Sequence, residues 1–434
     1  MKRLFFGGVH PRYKKEMSIK SENLQTVTPK QVVIPLQQHV GEVCRCLIKV
    51  GDSVLLGQKI GDGEGMCVPV HSSVSGTVVA VEPRLHPNGQ MIESVIIDND
   101  FKDNAIKHTE WDIPIEEMDA ETVLYRLKEA GIVGMGGAAF SANIKALSAM
   151  QKIDTLIANG CECEPYITAD DVLLRTNPQQ VLEGIMILHK VLSPKRTVLA
   201  IEDNKVAAIK RLQELNKKYP LIELVVLPTR YPQGSEKQLI QAVTGRQVPP
   251  ESLPVDVGCV MFNVSTFAAI NKAVRQGMPL TERIVTVSGE AVANPQNFIV
   301  RIGTPFKDVI EAAGGLDQNT ERVINGGPMM GVAQSDLSAP VVKATNSILC
   351  LLKDKDGAKN GTDCIRCGKC VAVCPMNLKP LYIHRFADVD SVRELKRLNV
   401  VDCIECGCCS FTCPAKLPLV EDCRKGKKLV KGEE

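Results

Sequence analysis

The spacing of apolar residues changes along the chain and divides it into blocks. In the first block, short apolar runs such as CRCLIKV, GTVVAVE and SVIIDND alternate with turn sequences such as VGDS and HPNGQ, which is typical of a small all-β unit. In the second, helical stretches such as ETVLYRLKEAG and KVAAIKRLQELNKKY alternate with short buried-strand runs such as DTLIAN and RTVLAIE. This alternation favours a layered α/β structure.

Two further blocks follow. One contains the strand-like runs RIVTVSG and NFIVRIG, a short helix in PFKDVIEAAGG and the glycine-rich INGGPMMG, and the last is rich in cysteine and mainly helical. The pattern therefore predicts a multidomain α/β protein. We expect its units at residues 1–110, 111–278, 279–340 and 355–425, with a basic tail at 426–434.

Composition excludes several classes of protein. A chain of 434 residues is longer than one ordinary domain. Its net charge of +2 does not indicate a surface that binds nucleic acid. No apolar run approaches the roughly 20 residues of a membrane span, and the N-terminus is a poor signal peptide. We therefore expect a soluble chain whose 17 cysteines are reduced cytosolic thiols rather than a secreted disulfide framework.

Two cysteine motifs carry the most specific chemistry. CIRCGKCVAVCP and CIECGCCSFTCP both follow C-x2-C-x2-C-x3-C-P, the bacterial ferredoxin pattern for [4Fe–4S] clusters, in which the fourth cysteine binds the other cluster. One cluster is expected on Cys364, Cys367, Cys370 and Cys413, and the second on Cys403, Cys406, Cys409 and Cys374.

Zinc sites are the alternative to clusters. They usually pair C-x2-C units across a longer gap, so the third cysteine and the C-P ending favour iron. Cys408 lies inside the second motif and is either a spare buried thiol or a replacement for Cys409 as ligand.

The second block contains a glycine-rich loop, GIVGMGGAAF. Gly134, Gly136 and Ala139 fit a dinucleotide fingerprint, but a helix precedes them where that fingerprint requires a strand. Glycines still let backbone N–H groups approach a phosphate or a flat ring, and Lys145 could add a positive charge. A plain helix–helix turn is the alternative.

Three more segments are candidates in combination. ANGCECEPYITADD is acidic and contains Cys161 and Cys163, although C-x-C alone is a weak metal motif and a solvated loop is the alternative. RYPQGSEKQLI and MFNVSTFAAI place polar residues at the starts of apparent helices, where anions bind.

In this order, the segments resemble the flavin-bearing, NADH-oxidising subunit of respiratory complex I. The resemblance implies one pocket that holds FMN and stacks NADH on it. Ala139, Cys161 and Ser235 depart from that family's pattern, and Ser235 weakens the expected preference for NADH over NADPH. The residues that the resemblance assigns to the flavin or the nucleotide are Gly134, Gly136, Gly137, Phe140, Lys145, Asn159, Glu162, Glu164, Tyr231, Gly234, Glu236, Asn263 and Thr266.

Over nearly its full length the chain resembles still more closely the C-subunit family of Rnf electron transport complexes. FFGGVHP, VHSSVSGTV, VGMGGAAF, YPQGSEKQLI and both cluster motifs occur in that family's order. The resemblance implies that the first unit is a barrel-sandwich hybrid and the third a β-grasp domain of the SLBB type. The first unit also looks like a lipoyl carrier, but no lysine lies between Gly61 and Ser75, so docking is expected instead, with His39 and His71 structural.

The cofactor set predicts the chemistry. A nicotinamide exchanges two electrons as hydride and a cluster exchanges one, so FMN must lie between them. No catalytic side chain is expected. The resemblance implies ferredoxin-dependent NAD reduction by a peripheral subunit on the cytoplasmic face of the membrane, with a ferredoxin-like B subunit and ion-pumping membrane subunits as partners.

Two alternatives remain open at this point. A related electron carrier could serve a cobalamin or amino-acid reductase, although the cobalamin-reductase relatives place the barrel after the cluster domain. A docking subunit without catalysis is the other alternative, and flavin content separates it from the first interpretation.

Overall fold

The computed structural model describes residues 5–19, 22–353 and 361–432. An N-terminal segment contains a short 3-10 helix at Lys15–Met17 and then strand β1 at Gln25–Val27. The first unit follows as two small antiparallel sheets that enclose a core of valine, isoleucine and leucine. Its strands are β2 (Gln31–Pro35), β3 (Arg45–Cys46), β4 (Ser53–Val54), β5 (Lys59–Asp62), β6 (Val70–His71), β7 (Gly76–Leu85) and β8 (Met91–Asn99).

The second unit is a parallel four-stranded sheet covered by helices. The strand order is β11-β10-β9-β12, and the central strands β9 and β10 are largely apolar because both of their faces are buried. The elements are α1 (Ala120–Glu129), α2 (Ala142–Ala149), β9 (Thr155–Gly160), α3 (Ala169–Thr176), α4 (Pro178–Leu192), β10 (Arg196–Glu202), α5 (Val206–Leu215), β11 (Ile222–Leu227), α6 (Glu236–Thr244), β12 (Cys259–Asn263) and α7 (Val264–Gln276).

The third unit is a mixed six-stranded sheet in the order β1-β14-β13-β17-β15-β16. Its elements are β13 (Glu282–Ser288), β14 (Gln296–Arg301), α8 (Phe306–Ala312), β15 (Thr320–Asn325), β16 (Val332–Gln334) and β17 (Ser347–Leu352). Strand β17 lies beyond the boundary expected at residue 340. Strand β1, expected within the first unit, instead pairs in parallel with β14 at the edge of this sheet.

The cysteine-rich unit is helical. Its helices are α9 (Lys369–Ala372), α10 (Pro380–Asp388), α11 (Val392–Arg397), α12 (Cys408–Thr412) and α13 (Leu419–Lys431). Helix α13 runs through residues 426–431, where a separate basic tail was expected, because its apolar residues Leu419, Val420 and Cys423 pack inward. The first residues of the expected unit, up to 360, and residues 433–434 lie outside the described residues.

The architecture confirms the predicted fold class of a multidomain α/β protein. Among the helices in the described parts of the chain, none combines the length and the apolar character that crossing a membrane requires.

Candidate functional site

The strand order of the α/β unit creates a crevice beside its central strand. The chain runs from β9 outward to β10 and β11 and then crosses back to place β12 on the other side of β9. Ligands of open α/β sheets bind outside the carboxyl ends of the strands at such a reversal. Asn159 and Asn263 lie there, and they are register partners near or at the ends of β9 and β12.

Both asparagines fix neighbouring loops. The side-chain amide of Asn159 donates to the Gly234 carbonyl oxygen at 2.8 Å, and a β-carbon on Gly234 would collide with the Cys161 carbonyl oxygen. The Asn263 side-chain oxygen accepts the Ser265 N–H at 2.8 Å and so caps α7. The loops after β9, β11 and β12 are thereby brought together at the crevice.

The glycine-rich loop closes the same crevice. The Gly134 N–H donates to the Phe140 carbonyl at 2.8 Å, and the Met135 N–H donates to the Thr266 hydroxyl at 2.9 Å, so the loop lies against the start of α7. Gly136 and Gly137 are exposed, and a β-carbon on Gly136 would lie 3.3 Å from that of Asn263. The loop therefore leaves room for a flat ring or a phosphate that side chains would fill.

Lys145 and Glu236 meet across this opening. Their charged atoms are 2.7 Å apart, both side chains are about one-third exposed, and the Lys145 ammonium lies 5.5 Å from the centre of the Phe262 ring. The structure thus brings together the predicted residues of the first, third and fourth loops. Phe140, the predicted stacking aromatic, lies half-buried at the end of the glycine-rich loop.

The acidic turn after β9 is buried, in contrast to the solvated loop that was the alternative. Glu162 pairs with Lys205 at 3.0 Å and with Lys15 at 3.7 Å, and its other oxygen accepts the Asp170 N–H at 2.8 Å. Both carboxylate oxygens therefore have protein partners. Asp170 connects this pair to the fourth loop, since its carboxylate accepts from Asn263 at 2.7 Å and from Ser265 at 2.6 Å.

Nothing in the sequence indicates that two lysines would be buried here. Lys15 lies in the N-terminal segment and Lys205 follows β10, so only the fold brings them to Glu162. Glu202, at the end of β10, belongs to the same buried group, and burial raises its pKa to about 7. Buried charges require partners. Glu162 has both lysines, whereas Glu202 accepts the Arg230 N–H at 3.3 Å and its second oxygen has no hydrogen-bond partner among the described residues.

Glu164 and Tyr231, both predicted cofactor residues, lie at the border with the cysteine-rich unit. The Glu164 carboxylate accepts the Met329 N–H at 3.2 Å, and burial raises its pKa to about 7. Its other oxygen has no hydrogen-bond partner among the described residues. The buried Tyr231 hydroxyl donates to the Cys406 carbonyl oxygen at 2.8 Å, which joins the third loop directly to the second cysteine motif.

The cysteines form two sets that cross between the motifs. Each set lines a separate cavity. One cavity is lined by Cys364, Cys367, Cys370 and Cys413, and the other by Cys374, Cys403, Cys406 and Cys409, as the crossed pattern requires. Four soft thiolates around one cavity are the ligand set of a [4Fe–4S] cluster.

The arrangement differs from that of a single-ion site. Within residues 5–19, 22–353 and 361–432, no three His, Cys, Asp or Glu side chains converge as the ligands of one ion do. Ligands to separate corners of a cluster lie farther apart around it. The second set also receives N–H···S hydrogen bonds from Leu378 to Cys374 at 3.3 Å and from Glu405 to Cys403 at 3.4 Å.

Two further thiols lie at the second cavity. Cys408, the residue predicted to be a spare thiol, and Cys423, which the sequence analysis did not single out, both line it and are buried. The two cysteines of the acidic turn do not line this cavity: Cys161 packs in the core of the α/β unit, and the Cys163 sulfur accepts the Gly234 N–H at 3.4 Å.

The two histidines of the barrel are buried. His39 accepts the Val68 N–H at 3.1 Å, and burial lowers its pKa to about 4. Burial likewise lowers the pKa of His71 to about 3. Their environments therefore favour neutral rings.

Four family models match successive parts of the chain. They are the RnfC barrel sandwich hybrid domain at residues 3–102, the Nuo51 FMN-binding domain at 127–272, the SLBB domain at 284–333 and a 4Fe-4S dicluster domain at 357–414.

The chain is similar over most of its length to several curated proteins. It is 42% identical to the C subunit of the Na(+)-translocating ferredoxin:NAD(+) oxidoreductase complex of Acetobacterium woodii, over 98% of this chain and 96% of that one. It is 39% identical to the C subunit of the proton-translocating ferredoxin:NAD(+) oxidoreductase complex of Clostridium ljungdahlii, over 91% and 87%. It is 42% identical to the C subunit of the ion-translocating oxidoreductase complex of Salmonella arizonae, over 88% of this chain and 57% of that longer one.

A solved structure shares the fold. An NAD+-reducing [NiFe]-hydrogenase in the H2-reduced state aligns with a TM-score of 0.51 at 19% identity, over 74% of this chain and 64% of the hydrogenase chain.

Proposed function

This chain belongs to the RnfC family, the C subunits of ion-translocating ferredoxin:NAD(+) oxidoreductase complexes, and on that premise we propose that it passes electrons between two [4Fe–4S] clusters and NAD through FMN. FMN, when bound, exchanges hydride with a nicotinamide and single electrons with iron–sulfur clusters. The chain's own residues hold and orient the groups.

The crevice residues suit a flavin. Exposed backbone at Gly136 and Gly137 would accept the close approach of a ring or phosphate, and Asn263 at the start of α7 lies directly beside Gly136. Lys145 would add positive charge beside it. Glu236 would favour NADH, because a carboxylate near the ribose repels the 2′-phosphate of NADPH.

The single observation that carries the proposal is the direct contact between the crevice loops and the second cysteine set. Tyr231 hydrogen-bonds to the backbone of Cys406, and Gly407 packs against the Met329 carbonyl, beside Glu164. Cys163, Tyr231, Cys406 and Cys408 belong to one apolar cluster. The set Cys374, Cys403, Cys406 and Cys409 would therefore hold the cluster nearer the flavin.

The place in the cell follows as a further part of the proposal. The names of the relatives support membership of a multisubunit complex. We infer that the chain sits peripherally on the cytoplasmic face of the membrane, receives electrons from a ferredoxin-like B subunit, and leaves ion transport to membrane subunits.

Cofactor analysis of anaerobically purified protein tests the proposal. We expect about eight iron and eight sulfide per chain by the two-cluster ligand rule, together with FMN that is released on denaturation. NADH should bleach the cluster absorbance. A protein with clusters but no flavin would instead be a docking subunit, and one with flavin that reduces cobalamin or a reductase rather than NAD would be a carrier for another acceptor.

A further inference from the structure

The two cysteine sets differ in their access to solvent. In the first set Cys364 and Cys367 are exposed and the other two are buried, whereas in the second set Cys403 is half-buried and the other three are buried. The second set is covered by the α/β unit through Tyr231 and by the N-terminal segment, whose Gly8 N–H donates to the Val373 carbonyl at 2.8 Å. A partner protein can therefore reach the first set directly.

The surface around the first set is positively charged. Arg366, Lys369 and Lys416 are exposed and lie within three residues of a cysteine that lines the first cavity. None of these three side chains has an ion-pair partner among the described residues. Asp363 is the acidic residue in the same loop, so the positive charges outnumber it.

Basic charge is also enriched across the whole unit. Residues 361–432 contain thirteen Lys and Arg against eight Asp and Glu, although the complete chain has a net charge of only +2. Lys379 precedes α10, and Arg385 lies in α10 one turn after Leu381, which lines the first cavity; Asp388 follows one turn later.

An apolar side chain lies at the centre of this face. Ile365 stands between the two exposed cysteines and is 64% exposed, and Phe411, two residues before Cys413, is 50% exposed. Protein interfaces commonly combine an apolar centre with a charged rim. A solvated charged surface would not require a large apolar residue at the ligand loop.

We propose that this face, formed by Arg366, Lys369 and Lys416 around Ile365, docks an acidic one-electron carrier protein, which exchanges electrons directly with the cluster of the first set. The inference rests on the proposed function and adds the place and charge of the contact. One electron leaves the carrier and one reduces the cluster, so no other reactant is needed. Opposite charges steer such encounters and raise the association rate.

The test is a stopped-flow measurement of cluster bleaching in the holoprotein by a reduced, acidic two-cluster ferredoxin. NAD is omitted, so a failure of flavin loading or hydride transfer does not affect the measurement. The test variant is Lys369→Glu/Lys416→Glu, and the matched control is Lys217→Glu/Lys218→Glu, which changes the net charge equally at an exposed site on the α/β unit.

We expect the test variant to react about tenfold more slowly than the wild type at low ionic strength, with the difference disappearing at high salt. Reduction by a zwitterionic viologen should be unchanged, as should the control variant. Lys369 is the first residue of α9, where a glutamate interacts favourably with the helix dipole, so Lys369→Glu should not disturb that helix. Lys369→Gln/Lys416→Gln removes the positive charges without adding negative ones and should slow the reaction less.

Equal ferredoxin rates for wild type and test variant, with full iron content and native cluster EPR spectra in both, would overturn the proposal. So would an equal slowing by the control variant, because the effect would then reflect net charge rather than this face. Absence of FMN from the wild type would overturn the proposed function and leave this measurement intact.

Discussion

Replacing Lys15 by methionine should loosen the acidic turn that follows β9. The Lys15 ammonium donates to the carbonyl oxygens of Glu162 at 2.7 Å, Glu164 at 2.9 Å and Ile167 at 2.6 Å. Only 9% of the side chain is exposed, so water cannot replace these bonds without opening the structure. Methionine fills a similar volume and donates nothing.

The magnitude follows from two opposing effects. Three bonds from a charged donor contribute on the order of 4–9 kcal/mol, at about 1.5–3 kcal/mol each. Burial, together with Lys205, lowers the pKa of Lys15 to about 8, which means that holding the charge there costs about 3 kcal/mol. The net loss in Lys15→Met should therefore be about 3 kcal/mol, in the range for breaking buried ionic contacts.

Hydrogen exchange of the amides in residues 160–168 is the appropriate assay, because a multidomain chain does not unfold in one step. A loss of about 3 kcal/mol corresponds to about a hundredfold loss of protection. The control is Lys14→Met. Lys14 pairs with Glu290, but both side chains are about one-third exposed, so its loss should cost less than about 1 kcal/mol. Equal changes in protection for the two variants would refute the reasoning.

Three other predictions address the crevice and the clusters. Gly136→Val places a branched side chain against Asn263 where a flavin would approach, so FMN should be lost while iron is retained; full FMN occupancy would contradict this site. Cys413 belongs to the second motif, but Cys413→Ser should damage the cluster held by the first motif, and EPR spectra of the two clusters would show this. Damage to the cluster held by the second motif would instead exclude crossed ligands. In the wild type, the native pKa of Glu164, about 7, exceeds the unfolded value, so the free energy of unfolding should fall by up to about 3 kcal/mol as the pH rises from about 5 to 8. Glutamine does not ionise, so Glu164→Gln should become increasingly more stable than the wild type over that window. Melting curves with parallel pH dependence for Glu164→Gln and wild type would show that Glu164 does not titrate as described.

Local patterns predicted most of the fold. Alternating short runs indicated the small all-β unit, helices alternating with buried-strand runs indicated the α/β layering, and the spacing of cysteines indicated two crossed sets. Each of these signals lies within a few tens of residues. The pairing of β1 with β14 joins residues 25–27 to 298–300, and no local pattern indicates such a distant partner.

The buried charges of the site were also beyond prediction from the sequence. ECEPYITADD reads equally well as a solvated loop, because its burial depends on Lys15 and Lys205, which are distant in sequence. An acidic turn can enter a core only when cations come with it. The sequence around Lys15 does not indicate that this lysine pairs with a buried acidic turn, so the ion cluster could be identified only from the folded structure.

The N-terminal segment explains how the crevice and the second cysteine set are held together. Phe5 lies under the Arg230 guanidinium at 4.9 Å, Val9 forms a bridge with Tyr231, and Gly8 binds the backbone of Val373. Further along the same segment, the Lys15 side chain enters the acidic turn. One stretch of chain thus contacts the third loop, the acidic turn and the second cluster motif. Because the same short stretch is hydrogen-bonded to all three, its contacts restrain the position of the second cluster motif relative to the crevice.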